Sequence, residues 1–139
     1  MATFTKFQPF VENLAEKLFN LGSDTLKVAL TNSDPLNTSD QLADVTQIAG
    51  TFGYTTGGTA ASISSSAQSG GTYKLVLADV TFTASGGSIG PLRYAVLYDD
   101  TATGDELIGY WDYGTNLTIT DGNSLLVDFS ASNGVLQIV

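Results

Sequence analysis

The chain has no cysteine and no histidine. The first absence excludes disulfides, thiolate nucleophiles and thiolate-bound metals. The second removes the commonest general base and the commonest transition-metal ligand. Positive charge is scarce as well: five Lys and Arg stand against fourteen Asp and Glu, for a net charge of -9. Such a surface repels phosphate backbones, so no nucleic-acid partner is expected. Charged residues of both signs make up only 14% of the chain against 42% hydrophobic ones, a balance unlike that of a disordered chain. No apolar run approaches the roughly 18 residues of a membrane span, so no membrane partner is expected either. Lys6, Glu12, Glu16, Asp24 and Lys27 interrupt the first thirty residues, which leaves no signal-peptide core and implies synthesis in a cytoplasm. At 139 residues the chain suits a single domain, 1–139.

What is present begins with one helical signal. At about 100° per residue, Phe10, Val11, Leu14, Ala15, Leu18, Phe19 and Leu21 share one half of the helical wheel. Glu12, Asn13, Glu16, Lys17 and Asn20 take the other half. Pro9 suits the first helical position, and Gly22 suits the left-handed residue that ends a helix. The spacing predicts a helix over 9–21. Its apolar face has two possible uses: to cover one side of the core, or to meet a second subunit through Phe10, Leu14, Leu18 and Leu21.

After Asp24 the pattern changes to that of strands. Leu26, Val28 and Leu30 alternate with Thr25, Lys27 and Ala29, which predicts a half-buried strand. Residues 32–40 read as loop, and Leu42, Val45 and Ile48 make 41–49 either one short helix or an irregular stretch. Residues 50–72 are nearly uncharged and rich in Gly, Ser, Thr and Ala. They read as a mobile arm that orders on a partner, a plain flexible loop, or a weak edge strand near Thr59–Ser64. From Tyr73 onward everything is strand and turn. Tyr73, Leu75 and Leu77 give way to Val80, Phe82 and Ala84 with a change of parity, which predicts a bulge or bend near Ala78 and Asp79. Leu92–Tyr98 reads as a central strand and Leu107–Tyr113 as another, followed by short segments at Leu117–Ile119, Leu125–Phe129 and Val135–Ile138. Asp121-Gly122 and Asn133-Gly134 are favoured hairpin dipeptides. The expected fold is mainly β: an antiparallel β-sandwich or small barrel, in the β-rich region 73–139, with one N-terminal amphipathic helix.

Chemistry is thinly represented. Eight acids after residue 78 face the single base Arg93, and the densest group is Asp99, Asp100, Asp105 and Glu106. Those four carboxylates read as a solvated acidic turn; the competing reading is a divalent-ion site, although the spacing is not that of an EF-hand. Paired acids can hydrolyse glycosides only when held across a cleft, and nothing marks one. Tyr110, Trp111 and Tyr113 offer either core aromatics or a sugar-stacking platform. A nucleophile–base pair lacks its His, and the Gly-rich stretch lacks the Lys of a phosphate-binding loop. Neither catalysis nor a cofactor is expected.

The run Gly86-Gly87-Ser88-Ile89-Gly90-Pro91-Leu92-Arg93-Tyr94-Ala95-Val96-Leu97-Tyr98-Asp99-Asp100 is followed by Leu107-Ile108-Gly109-Tyr110-Trp111-Asp112-Tyr113-Gly114, then by Val127-Asp128-Phe129 and Asn133-Gly134-Val135. Together with Thr25–Thr31 and Gly53-Tyr54-Thr55-Thr56-Gly57-Gly58, this series resembles small structural proteins of tailed-bacteriophage virions, of the kind that decorate or cement a capsid. The resemblance implies a virion location on the capsid exterior and the major capsid protein as partner. It carries no site residues with it. A homo-oligomer, dimer or trimer, built mainly through the N-terminal half, is expected because linked copies raise effective concentration and closed symmetry links them.

Overall fold

The computed structural model describes residues 2–139. In chain order the elements are β1 (Thr3–Lys6), α1 (Pro9–Ala15), β2 (Leu26–Thr31), a 3-10 turn (Leu42–Asp44), β3 (Thr59–Ala61), β4 (Ile63–Ser69), β5 (Thr72–Leu77), β6 (Val80–Thr83), β7 (Ile89–Asp99), β8 (Leu107–Ile119), β9 (Ser124–Val127) and β10 (Leu136–Ile138). Three sheets result, with strand orders β1-β8-β7-β2-β3, β10-β5-β4 and β6-β9. All pairings are antiparallel, and no sheet closes into a barrel. The protein is mainly β with one short helix.

β7 and β2 are the centre of the large sheet because their sequences leave almost no polar face. Leu92, Ala95, Val96 and Leu97 have no exposed surface, and neither have Leu26, Val28, Ala29 and Leu30. β2 is therefore buried on both faces apart from Lys27, rather than half-buried as its alternation suggests. A single hydrophobic cluster collects side chains from all three sheets and from α1, including Phe10, Leu30, Leu75, Phe82, Val96 and Val127.

The helix is shorter than its periodicity predicts. Pro9 does begin it, but α1 ends at Ala15 instead of Leu21. Lys17 takes a left-handed conformation (φ 71). The Leu18 N–H then donates to the Asn13 carbonyl at 2.9 Å, and that of Lys17 to the Leu14 carbonyl at 3.3 Å. This is the paired terminal closure of a Schellman motif, formed five residues before Gly22. The apolar residues that follow become a strap across the core: Phe19 is buried with its ring stacked on Phe10 at 5.4 Å, and Leu21 is buried beside it.

The stretch from 41 to 72 is ordered. Gln41 and Asp44 cap the 3-10 turn reciprocally, and backbone N–H groups of Gln41 and Asp40 hold the Asp44 carboxyl below its ordinary value. Residues 45–49 are irregular. Residues 59–69 hold two strands, as the edge-strand reading expects. β3 pairs with β2 over only three residues. Beyond that point, Tyr54 takes the place of a strand: its hydroxyl accepts the Leu30 N–H at 3.0 Å and donates to Gln47 Oε1 at 2.7 Å. Gly58 (φ 78) lies so close to β2 that a Cβ there would overlap the Val28 carbonyl.

Three turn readings change in detail. At Ala78 and Asp79 the chain leaves one sheet for another, β5 pairing with β4 and β10 while β6 pairs with β9. The parity change thus marks a transfer between sheets rather than a bulge. Asp121-Gly122 and Asn133-Gly134 both turn the chain, yet neither joins paired strands. The segment Leu117–Ile119 is the far end of β8 rather than a separate strand. Between the pairs Leu92–Leu117 and Tyr94–Asp112, β8 contains more residues than β7 and bulges outward around Gly114.

Candidate functional site

The acidic turn is not simply solvated. Asp99 ends β7 with no exposed surface, and Glu106, just before β8, is buried too. Their carboxylates fold back on the loop's own backbone. Asp99 Oδ1 accepts the N–H groups of Thr101 (2.9 Å) and Ala102 (3.1 Å), and Glu106 accepts that of Gly104 through both oxygens. The loop is also stitched to its neighbours: the Asp100 N–H donates to the Thr25 carbonyl, the Leu42 N–H to that of Asp105, and the Leu107 N–H to that of Asp40. Asp100 reaches Lys27 at 3.2 Å. Asp99, Asp100 and Glu106 therefore point to separate partners. Among the described residues no three acidic side chains are grouped so as to hold a metal ion.

Two features here have no simple sequence signature. Asp99 Oδ2 is buried without a hydrogen-bond partner. Burial together with the neighbouring Asp24 carboxyl pushes Asp99 up to about 7. At the other end of the same strand the outcome is reversed. Arg93 donates to both oxygens of Asp112, at 2.8 and 3.1 Å, which lowers that carboxyl and raises the guanidinium.

The three aromatics of β8 do not form one platform. Tyr110 packs with Phe7 and Tyr94, whereas Trp111 packs with Phe4 (4.9 Å) and Phe129 (5.2 Å). Trp111 and Tyr113 are half-buried and line a groove of about 590 Å³ together with Phe4 and Leu126.

A second groove, of about 330 Å³, lies between the helix and two sheet margins. Phe4 and Lys6 come from β1, Val11 and Leu14 from α1, and Leu136 and Ile138 from β10. β1 and β10 are both edge strands, so each turns an unpaired margin outward. No Asp or Glu side chain lines this groove, on a chain of net charge -9. Of the four interface residues expected from the sequence, Phe10 and Leu21 are buried within the monomer. Leu14 and Leu18 are half-buried, and of the two only Leu14 lines this groove. Val11, on the apolar half of the helical wheel but not among those four, and Ile138 and Val139 are the exposed apolar residues here, at 51%, 44% and 98%.

Among the described residues no helix is long and apolar enough to cross a membrane. No protein-family model, curated protein or solved structure matches this chain.

Proposed function

We propose that the protein is a non-enzymatic structural component of a tailed-phage virion: a decoration or cement protein on the capsid exterior that bridges neighbouring major capsid subunits. It is made in the host cytoplasm and acts as a homo-oligomer, dimer or trimer, joined through its N-terminal face. In this reading the smaller sheets pack on the five-stranded one as a sandwich.

The observation that carries the proposal is the apolar groove at Phe4, Val11, Leu14 and Ile138, which no Asp or Glu side chain lines. Like-charged chains associate most cheaply where their carboxylates are absent, and a closed symmetric assembly uses one such patch on every copy. Repetition then gives a small domain its grip, because each bound copy raises the effective concentration of the next. The resemblance in 86–114 adds support, since most of those residues lie in β7 and β8, the spine of the sheet.

The test is to express the protein with a major capsid protein and count copies on purified particles. Copy numbers comparable to those of the capsid protein support decoration, and a few per particle point to a tail or fibre part. Val11→Asp should abolish oligomers of the isolated protein while leaving its fold intact. A monomeric wild type would overturn the assembly proposed.

One observation favours a second reading, a carbohydrate- or receptor-binding module: Trp111 and Tyr113 keep surface in the 590 Å³ groove. Glycan binding by the isolated domain, lost in Trp111→Ala with the fold retained, would establish it.

A further inference from the structure

The groove of about 590 Å³ beside β8 brings aromatic faces and a carboxylate together. Trp111 and Tyr113 alternate along β8, so both project from one side of the sheet, and both keep surface. Phe4 and Phe129 pack on the Trp111 ring at 4.9 and 5.2 Å, which holds the indole in place. From β9 and the residue after it come Leu126 and Asp128, both exposed, while Val127 and Phe129 are buried. Alternation thus turns Asp128 outward at the groove.

None of the chain's own bases pairs with this carboxylate. Lys27 pairs with Asp100 at 3.2 Å and Arg93 with Asp112 at 2.8 Å. Lys17 lines the cavity beside the strap, and Lys6 lines the groove at β10. Lys74 has its stem beside Gly134 at the groove margin, but its ammonium donates to the Ser132 carbonyl at 2.8 Å. These five are all the Lys and Arg of the chain. Its net charge of -9 adds a longer-range attraction for any cation that approaches.

Aromatic faces are negative, and with a carboxylate at hand they suit an organic cation. The molecule uses this chemistry once already. The Arg93 guanidinium lies 5.3 Å from the centre of the Tyr94 ring while donating to both oxygens of Asp112. There the cation is the chain's own; at the groove it has to come from outside.

We infer that the groove at Trp111 and Asp128 is a docking site for an arginine side chain presented by a partner protein.

Arginine suits it better than other cations do. A guanidinium is planar, stacks on aromatic faces, is more weakly hydrated than an ammonium and meets a carboxylate with two N–H groups. Its aliphatic stem covers apolar wall such as Leu126. The groove is larger than one side chain, so apolar residues beside the arginine occupy the rest, as they do around the anchors of protein interfaces. A neutral sugar stacks on the same rings but gains nothing from the net charge. Such a site belongs to the isolated domain, so it neither rests on the capsid reading nor falls with it.

Trp111 is the chain's one tryptophan, so its emission reports on this groove. The probe is a capped Leu-Gly-Arg-Gly-Leu peptide, titrated into the whole protein beside the same peptide with neutral citrulline in place of arginine. The arginine peptide should change the emission saturably and bind about fivefold or more tightly than its citrulline counterpart. Asp128→Asn should weaken it by about fivefold. Glu16→Gln, which removes the same charge at an exposed position outside the groove, should leave binding unchanged. Equal binding of the two peptides overturns the proposal, and so does the lack of a saturable change below about 10 mM. Equal losses in the two variants reduce the effect to general attraction and overturn it too. Cellohexaose that changes the emission where neither peptide does gives the groove to sugar instead. The comparison of peptides on the wild type decides the matter even where a variant fails to fold.

Discussion

The centre of the large sheet and the strap between α1 and β2 bury apolar side chains in opposite ways. β7 lies between β2 and β8, with cross-strand partners on both sides over Tyr94–Tyr98. The strap has no strand partner. Phe19 and Leu21 are held by ring stacking, by the terminal closure at Lys17 and by the contacts around Asp24. Equal burial thus conceals unequal redundancy: the sheet has many neighbours that can absorb a defect, and the strap has few.

The sharpest break is a charge in the centre. Ala95 has no exposed surface and lies on β7 between Arg93 and Asp99. Ala95→Asp would have neither the N–H groups that serve Asp99 nor the guanidinium that serves Asp112. It should cost more than about 4 kcal/mol, enough to leave little folded protein in a circular-dichroism melt. Phe19→Ala removes the strap's stacked ring and should cost about 3 kcal/mol by denaturant titration. If the two regions are as different as described, amides in 16–24 will lose protection in this variant while those of β7 keep theirs.

Sharpening the comparison needs smaller changes. Lys17 adopts a positive φ that glycine takes without strain, so Lys17→Gly should raise stability by about 0.5 kcal/mol, read as a shift in the denaturation midpoint. The least effect belongs to the exposed pair Arg93–Asp112. The Asp112 carboxyl is held low, so its contribution is present above its unfolded value and disappears as pH falls through the lower folded one. Asp112→Asn should therefore match the wild type in acid strong enough to protonate that carboxyl and be slightly less stable at neutral pH, with the gap closing in 1 M salt as screening increases.

How much of this was legible depended on whether the burial was local or borrowed. β7 and β8 announced themselves, because a strand buried on both faces is apolar at nearly every position and Leu92–Tyr98 is so. The helix start was legible in Pro9. Its end was not, because Leu18, Phe19 and Leu21 continue the helical phase although what holds Phe19 is a ring contact with Phe10. Residues 50–72 looked like an arm because edge strands facing solvent are built from Ser, Thr and Ala. The exception among them was Tyr54, a large buried aromatic in an otherwise small-residue stretch and the one available sign of order. The four clustered acids resembled a solvated turn because composition does not say which carboxylates turn inward. Asp99 followed by Thr101 was a usable signal, since an Asp commonly accepts the N–H two residues on. Its contact with Asp24 depends on tertiary structure and left no trace in spacing.

The strand order has a consequence for how the molecule comes into being. Thr3 pairs with Asp112 and Leu26 with Asp99, so β1 and β2 leave the ribosome well before the strands they join. At roughly 5–20 residues per second, the early segments wait several seconds with their apolar faces uncovered. The sheet's centre can close only when β7 and β8, residues 89–119, have been made. Folding is in that sense a late event, slowed by the long loops it must close and exposed to association in the interval.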